Sequence, residues 1–402
     1  MSGAAKQKKA LIVWGNWGPY HYSRFKGFKQ ACTDKGIQPI GLELFQKSNI
    51  YEWSTSQEET SVKHFSFGEE EMAFPIWKCF TQLLPYLWKL KADYAFVPSY
   101  WHWSLFINFI CRIRGAKIIM MNESHADTER AKGIKRWIKS RIVKRFHAAF
   151  VGGKPHARHF ESLGMKPESI FPGYDAIDVS YFAEQADDVR SNATEKRNLL
   201  GLPDRYFLSL SRMVEKKNLP GLVEAYSRLN TQPMDPVPHL VFVGSGPLEK
   251  EVREAVIKYE LPHYDHTEGK ETGTIDNHSK GVHFYGFRQI DVNPTFFTLA
   301  DAFIMPSLWE EWGLVVNEAL ACSTPVIVSA NAGCAEDLVI EGETGYKIDP
   351  RNIESITTAM SHIGANTSDL QKMGTAGLTI VKQFDCTNFG NNAMSSVEYT
   401  NR

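Results

Sequence analysis

Short apolar runs alternate with amphipathic helical stretches along the first part of the chain. The runs ALIVW, QPIGLEL, YAFVPS and AKIIMM have the length and residue types of strands, and the stretches YHYSRFKGFKQACTDKG and WSLFINFICRI between them have the spacing of helices. Strands that alternate with helices pair in parallel and are covered by those helices. The pattern therefore predicts a Rossmann-like α/β domain over residues 1–175.

A second series of the same kind begins near Arg205. Its strand candidates are YFLSLS, HLVFVG, VHFYG, AFIMP and PVIVSA, each followed by a helical stretch. This series predicts a second Rossmann-like domain over residues 205–384. The turn-rich and charged residues 176–204 suit a connection between domains. Residues 385–402 are expected to pack back on the first domain, although their asparagines and glycine make a poor helix by propensity. The polar stretch 259–280 is expected to be a surface loop or an insertion.

Composition supports two domains and excludes several functions. A chain of 402 residues exceeds the usual size of a single core, and 43 % hydrophobic with 23 % charged residues is ordinary for a globular protein. A net charge of −1 gives no general attraction for nucleic acid. The six cysteines are scattered without C-x-x-C spacing, which favours a reduced, cytoplasmic setting over a disulfide scaffold or a zinc site. The first apolar run is too short for a signal peptide.

The stretch SLWEEWGLVVNEALACSTPVIVS places two carboxylates around the start of a helix. Glu310 precedes the expected helix entry at Gly313, and Glu318 lies inside the helix. The first amides of a helix lack partners and can bind an anion such as phosphate. Carboxylates accept hydrogen bonds from hydroxyls, so a ligand with hydroxyls on both sides of a diphosphate would use all three groups. A nucleotide sugar has this layout, although an isolated pair of glutamates is more often simply solvated.

A second stretch, SLSRMVEKKNLPGLVEAY, supplies two cations after a strand. Arg212 and Lys217 are placed to offset the negative charge of a diphosphate, a kind of electrostatic stabilisation that often dominates catalysis. Either residue alone is more often a solvated surface charge. The glutamate pair makes the binding interpretation the stronger one.

The run from ADAFIMPS through EEWGLVVNEALACSTPVIVS to AGCAEDLVIEGETGYKIDP resembles the donor-binding half of glycosyltransferase family 4, the group 1 glycosyl transferases, which are retaining enzymes of the GT-B fold. The signature of that family is Glu, any residue, an aromatic residue, Gly, four residues, Glu and Ala. The matching residues are Glu310, Trp312, Gly313, Glu318 and Ala319. The resemblance covers Tyr206 to Pro350 in order and is weaker over the first 180 residues. It implies a GT-B fold, with two Rossmann-like doubly wound domains facing a central cleft.

The resemblance also implies roles for individual residues. Glu310 would bind the hydroxyls of the sugar, Glu318 would bind the ribose, and Arg212 and Lys217 would hold the diphosphate. The remaining donor-side positions are Gly244 in the turn GSGP, Phe287 and Arg288 beside the base, and Trp312, Gly313, Leu314 and Val315 at the helix entry. In the first domain, the acceptor side, the family often has paired glycines, of which only Gly18 carries over. His125 is the match for a histidine close to the transferred sugar.

The expected reaction is the transfer of a hexose from a nucleotide-diphosphate sugar to an acceptor hydroxyl with retained anomeric configuration. UDP is favoured by its frequency among such enzymes, and polysaccharide, glycolipid or glycoside synthesis would fit. The chain contains no D-x-D triplet, so we expect no metal and no cofactor. Three alternatives stay open: a phosphorylase of the same fold, a nucleotide-sugar epimerase, and a non-catalytic nucleotide-sugar-binding module.

The stretch IKRWIKSRIVKRFH, residues 134–147, reads as a basic amphipathic helix. One face can be formed by Ile134, Trp137, Ile138, Ile142 and Phe146. Such a helix could lie on anionic lipid. Packing on the sheet of its own domain, with a solvated basic back, is favoured because amphipathic surface helices are common. The expected location is cytoplasmic, with the membrane surface left open.

Overall fold

The computed structural model describes residues 7–45, 60–65, 67, 76–98, 102–232, 234–267 and 274–402. The chain forms two compact units, one of Met1–Asp178 with Phe384–Arg402 and one of Val179–Gln383. Each unit is built on a parallel sheet covered by helices, which confirms the predicted α/β fold class. Part of the expected loop at 259–280 lies outside the described residues.

The first unit contains a sheet of seven described strands in the order β3-β2-β1-β4-β5-β6-β7, and every described pairing is parallel. The strands are β1 (Lys9–Trp14), β2 (Gln38–Glu43), β3 (Val62–His64), β4 (Tyr94–Pro98), β5 (Lys117–Asn122), β6 (Ala148–Val151) and β7 (Ile170–Pro172). The helices are α1 (Pro19–Asp34), α2 (Ile76–Lys78), α3 (Leu84–Leu90), α4 (His102–Ile113), α5 (Ile134–Val143), α6 (Lys154–Ser162) and α16 (Cys386–Thr400), and a π-helical segment, Cys79–Leu83, joins α2 to α3.

The central strands β1, β4, β5 and β6 are buried on both faces, as their nearly continuous apolar sequences require. Leu11 and Val13 of β1 point into a core shared with α3, α4, α5 and α6. Ala10 and Ile12 point the other way, into a core shared with α1 and α16. One layer of helices therefore covers each face of this sheet.

The C-terminal helix α16 forms against its propensity because it packs on α1. Glycines allow the two backbones to approach closely. A Cβ on Gly27 would lie 1.8 Å from the carbonyl oxygen of Cys386, and a Cβ on Gly390 would lie 2.2 Å from the carbonyl oxygen of Gly27. Phe389 and Met394 bury their side chains in the core on the α1 side of the sheet.

Helix α5 does not pack as the sequence suggested. Ile134, Trp137 and Ile138 are 73 %, 58 % and 47 % exposed, whereas Val143 and Phe146 reach the core. The expected packing of the whole apolar face on the sheet is therefore wrong for the first two turns. Within the described residues, no helix is both long enough and apolar enough to cross a bilayer.

The second unit contains a sheet of seven described strands in the order β10-β11-β9-β8-β12-β13-β14, again with parallel pairings throughout. The strands are β8 (Tyr206–Leu210), β9 (His239–Val243), β10 (His263–Asp265), β11 (Val282–Phe284), β12 (Ala302–Met305), β13 (Val326–Ser329) and β14 (Gly345–Ile348). The helices are α7 (Val179–Ser191), α8 (Ala193–Leu200), α9 (Leu219–Ser227), α10 (Glu249–Lys258), α11 (Asn293–Thr298), α12 (Leu314–Ala321), α13 (Ala335–Leu338), α14 (Ile353–Ala365) and α15 (Leu370–Val381).

Two segments of the second unit differ from the simplest interpretation of the sequence. Residues 179–200, within the expected connection, form helices α7 and α8, and α7 packs on α11 and α12. Edge strand β10 lies within the stretch expected to be a loop. The sequence did not predict it because a polar three-residue strand gives no periodic signal.

Candidate functional site

The strand order of the second unit places a crevice between β8 and β12. The chain winds one way from β8 to β9 and the other way from β12 to β13, and ligands of such sheets bind where the order reverses, outside the carboxyl ends of the strands. Lys217 lies in the loop after β8 and Glu310 in the loop after β12. The backbone amide of Leu308 donates to the carbonyl oxygen of Lys216 over 2.7 Å, which ties the two loops together.

Two lysines bind the Glu310 carboxylate. The Nζ of Lys216 lies 2.7 Å from Oε1 of Glu310 and 2.8 Å from Oε2 of Glu311, and the Nζ of Lys217 donates to Oε2 of Glu310. The Lys217 and Glu310 side chains are only 11 % and 10 % exposed, so this is a largely buried ion pair. The structure therefore brings together two residues that the sequence predicted for one site.

The ion pairs fix the protonation state of Glu310. Burial alone would raise the pKa of this carboxyl, but the charges of Lys217 and Lys216 outweigh it and hold the pKa below its usual range. For the ammonium of Lys216, burial opposes the charge while Glu310 and Glu311 favour it, and its pKa lies above the ordinary value. Near neutral pH Glu310 is therefore a carboxylate and Lys216 an ammonium.

The helix entry beside Glu310 needs a glycine. Gly313 adopts φ +102°, and a Cβ there would lie 2.7 Å from Cε of Met305. Helix α12 begins at the next residue, with half-buried Leu314 and Val315 in its first turn. The indole of Trp312 is buried and donates over 2.8 Å to Oδ1 of Asn317, which fixes the approach of the chain to α12.

Glu318 lies on the inner side of α12. It is fully buried, whereas Glu310 keeps a small exposed fraction. The motif thus positions one carboxylate at the mouth of the crevice in contact with lysines and the other inside the protein.

Glycines also bring the loops after β8 and β9 close together. Gly244 adopts φ +127°, and a Cβ there would lie 2.0 Å from the carbonyl oxygen of Ser211. The amide of Met213 donates to the carbonyl oxygen of Ser245, and the amide of Gly244 donates to that of Gly286. The GSGP turn therefore lies directly against the backbone around Arg212.

The remaining second-unit candidates surround this turn. Arg212 is exposed, and no ion pair holds its side chain within the described part of the chain. Phe287 and Arg288 are half-buried, and the Arg288 guanidinium donates to the carbonyl oxygens of Phe287 and His266 at 3.1 and 3.2 Å. Arg212 is thus a cation available to solvent, whereas the Arg288 head group is used to hold the loop.

In the first unit, both predicted residues lie at carboxyl ends of strands. Gly18 follows β1 and donates its amide to Nδ1 of His21 over 3.0 Å at the start of α1. His125 follows β5, is 2 % exposed, and packs its ring against His156 at a centroid distance of 5.2 Å. His125 is therefore a buried side chain in a turn.

Two features of the sites escaped sequence reasoning. Lys216 binds Glu310 as Lys217 does, and its only signal was its place in the run EKKN. In the first unit, Arg24 and Asp175 form a buried ion pair with Nη2 3.3 Å from Oδ1. Burial and the nearby Glu123 charge raise the pKa of Asp175 in spite of Arg24. These residues are far apart in sequence, so no local pattern joins them.

Comparison with known proteins relates part of the chain to glycosyl transferases. Residues 191–379 match the family described as Glycosyl transferases group 1. A GDP-mannose-dependent alpha-(1-6)-phosphatidylinositol monomannoside mannosyltransferase of Mycolicibacterium smegmatis is 30 % identical over 219 residues, which cover 52 % of this chain and 50 % of that protein. Sucrose synthase isoform 2 of Daucus carota is 28 % identical over 170 residues, 40 % of this chain and 20 % of that protein. The chain thus matches about half the length or less of these curated relatives.

Solved structures share the fold across both units. Anabaena Alr3699/HepE in complex with UDP superposes with a TM-score of 0.70 at 15 % identity, covering 98 % of this chain and 100 % of that one. An Escherichia coli trehalose-6-phosphate structure bound with UDP-2-fluoro glucose gives a TM-score of 0.70 at 12 % identity, covering 98 % and 99 %. These likenesses establish the GT-B fold. The family match covers residues 191–379, just under half of the chain, and agrees with the resemblance found in the sequence, while the superpositions confirm the predicted fold.

Proposed function

We propose that this protein is a retaining glycosyltransferase that moves a hexose from a nucleotide-diphosphate sugar to an acceptor hydroxyl. The observation that carries the proposal is the buried Lys217–Glu310 pair at the reversal of strand order between β8 and β12. Such a position is where open α/β sheets bind ligands, and the pair offers a cation for phosphate beside an acceptor for hydroxyls.

The donor is expected to be a nucleotide sugar, with UDP as the first choice of nucleotide. The Anabaena structure contains UDP, and the E. coli structure contains UDP-2-fluoro glucose. The mycolicibacterial relative is named as GDP-mannose-dependent, so GDP is the second nucleotide to test. In this proposal Phe287 and Arg288 lie beside the base, and Glu318 binds the ribose.

The ion pair suggests how the donor is received. In the ligand-free chain Glu310 holds Lys217, and an incoming diphosphate would compete for that ammonium. Lys217 would then hold the diphosphate with Arg212 and the amides that follow Gly313, and Glu310 would accept hydrogen bonds from the sugar. Gly18 and His125 are the proposed contributions of the first unit, with His125 close to the transferred sugar.

The chemical step needs no covalent nucleophile on the protein. The bond between the anomeric carbon and the diphosphate breaks, and the acceptor oxygen attacks from the same face. The departing diphosphate takes the proton of the acceptor hydroxyl. Lys217 and Arg212 stabilise the charge that develops on the leaving group, and this electrostatic contribution is what accelerates the transfer.

The proposal is tested with a panel of UDP- and GDP-sugars. We expect one donor to raise the melting temperature, because a ligand of the native state stabilises by mass action. Nucleotide release from that donor, in the presence of candidate hydroxyl acceptors, should persist in EDTA and give a product of unchanged anomeric configuration. Strict metal dependence, an inverted product, release only with inorganic phosphate, or donor interconversion without an acceptor would each contradict it.

A further inference from the structure

Exposed apolar side chains are concentrated on one helical layer of the first unit. Among the described residues, nine of the twelve large apolar side chains that are exposed lie on α2 to α5 or on the π-helical segment between α2 and α3. They are Trp77, Phe80, Trp88, Leu105, Phe109, Ile113, Ile134, Trp137 and Ile138. Single exposed apolar residues are normal on any protein, but concentration in one layer indicates an interaction surface.

These helices form one layer over the sheet. Helices α3, α4 and α5 share the same core, and α3 packs on α4. The rings of Phe80 and Phe106 lie 5.5 Å apart, which joins the π-helical segment to α4. The guanidinium of Arg112, in the last turn of α4, donates to the carbonyl oxygen of Arg145, just beyond α5. We call the outer side of this layer the aromatic–basic face.

Helix α5 turns its apolar stripe outward. Ile134, Trp137, Ile138 and Arg141 are exposed and follow the i, i+3, i+4, i+7 spacing of one helical face. The inward positions include Lys139, whose ammonium lies 2.6 Å from Oε2 of Glu129. The stripe therefore faces solvent while a lysine occupies the protein side.

The charge of this layer has one sign. Helices α2 to α5 and the π-helical segment contain no Asp or Glu and carry seven Lys or Arg residues, whereas the whole chain has a net charge of −1. The excess of positive charge in this layer is therefore local and is not a property of the protein as a whole.

Each exposed tryptophan of the face lies next to a cation. The Nζ of Lys78 is 5.8 Å from the ring centroid of Trp77, Cζ of Arg114 is 4.4 Å from that of Trp88, and Cζ of Arg141 is 5.3 Å from that of Trp137. Tryptophan rings prefer the headgroup level of a bilayer, and neighbouring cations attract anionic lipids.

We propose that the aromatic–basic face binds peripherally to the surface of an anionic lipid bilayer. A second copy of the chain is a poorer partner because it would bring the same positive charge to the contact. The described helices cannot cross a bilayer, so the binding would be interfacial. The inference does not depend on the proposed function and is tested without a donor or an acceptor.

The test is co-sedimentation of the full chain with phosphatidylcholine vesicles that contain or lack phosphatidylglycerol. We expect binding only to the anionic vesicles, weakening as salt shortens the screening length from about 10 Å at 0.1 M to about 3 Å at 1 M. Replacing Ile134, Trp137 and Ile138 by Ser together should lower the partition coefficient at least about tenfold, since the apolar part of the contact is lost. The double variant K135E/R141E should lose at least about tenfold on anionic vesicles, because each cation near such a surface contributes roughly fivefold.

Matched controls lie on the second unit. Leu199, Ile257 and Ile340 are exposed there, as are Lys258 and Lys372, so L199S/I257S/I340S and K258E/K372E match the face variants in number of changes and in charge. Both should bind vesicles as the unaltered protein does. Hydrogen exchange of residues 134–141 in the unaltered protein should slow when anionic vesicles are added, which tests the contact without any substitution.

Several results would overturn the inference. They are no binding to anionic vesicles at low salt, equal losses in the face and control variants, or unchanged exchange of α5 on bound protein. Concentration-dependent dimerisation that the triple variant abolishes, without vesicle binding, would assign the face to a second copy of the chain instead.

Discussion

If the proposed function holds, substitution of Glu310 by Gln should separate turnover from nucleotide binding, because this carboxylate holds the lysine proposed to bind the diphosphate. The change keeps the size of the side chain and removes its charge. Lys217, now without its carboxylate, should bind a nucleoside diphosphate at least as well as before. Turnover should fall about 10- to 100-fold, the contribution of one hydrogen bond to a charged group at the transferred sugar.

The same substitution should lower the stability of the second unit by an amount set by burial. The Lys217 and Glu310 side chains are 11 % and 10 % exposed, and removing one partner of a buried pair costs about 3–5 kcal/mol. Lys216 keeps its contact with Glu311 at 2.8 Å, so we expect the lower end, about 3 kcal/mol. For a unit of this size, that corresponds to a decrease of roughly 6–12 °C in melting temperature.

Three variants measured side by side provide the assay. Calorimetric titration with UDP or GDP gives the nucleotide affinity, thermal melting gives stability, and nucleotide release at saturating donor gives turnover. K217M should lose both nucleotide affinity and turnover, since it removes the proposed phosphate contact. E311Q is the matched control: Glu311 contacts Lys216 but is 43 % exposed, so its loss should cost no more than about 1 kcal/mol and leave turnover near that of the unaltered protein.

The reasoning would be refuted by either of two outcomes. If E310Q weakened nucleotide binding as much as K217M, Glu310 would be organising the lysines and not competing with the phosphate. If E310Q retained full turnover, the carboxylate would have no part in the transfer.

Three further predictions follow from the geometry. Arg212→Ala should leave the melting temperature unchanged yet weaken nucleotide binding about tenfold or more, because no ion pair in the described residues holds this exposed cation. Thermal melting measures the stability and calorimetric titration the nucleotide affinity. A clear loss of stability would contradict the view that Arg212 is a solvent-exposed binding residue. Gly244→Ala should destabilise the second unit far more than Gly36→Ala destabilises the first, although both glycines have positive φ. A Cβ on Gly244 would lie 2.0 Å from the carbonyl oxygen of Ser211, whereas a Cβ on Gly36 would meet nothing within 4 Å. Equal losses of stability in chemical denaturation would be inconsistent with this reasoning. Burial, with smaller contributions from His239 and His266, lowers the pKa of His283 to about 2, so below pH 6.5 this histidine takes up a proton in the unfolded chain but not in the folded one. The free energy of unfolding should therefore fall as the pH decreases from 6.5, by about 2 kcal/mol at pH 5 for this histidine. Thermal melts of His283→Phe should show a weaker dependence of stability on pH than those of the unaltered protein.

The parallel sheets could be predicted because their central strands are buried on both faces and read as continuous apolar runs. Edge strands gave no such signal: β3 and β10 are three residues long and largely polar. The helical state of α16 could not be predicted for a different reason: its stability comes from packing against α1, and its own sequence favours no helix. The local sequence pattern therefore predicts the central strands of each sheet, but it does not predict the edge strands or α16, which distant contacts hold in place.

The candidate site shows the same division. The spacing of Glu310, Gly313 and Glu318 is local, so the sequence could place them around one helix entry. That Glu310 would be bound by two lysines, with Glu318 fully buried, depends on the approach of loops nearly a hundred residues apart. The outward stripe of α5 was likewise not predictable, because an amphipathic pattern gives the direction of the apolar face relative to the helix and does not say which side the sheet takes.

The return of α16 to the first unit has a consequence for synthesis on the ribosome. Helix α16, which covers α1, is translated only after the roughly 200 residues of the second unit. Synthesis of those residues takes roughly 10–40 s at ordinary elongation rates. During that interval the side of α1 that α16 covers, including Ala31 and Cys32, lacks its partner. Completion of the first unit therefore waits for synthesis of the second, even though all its described strands are made first.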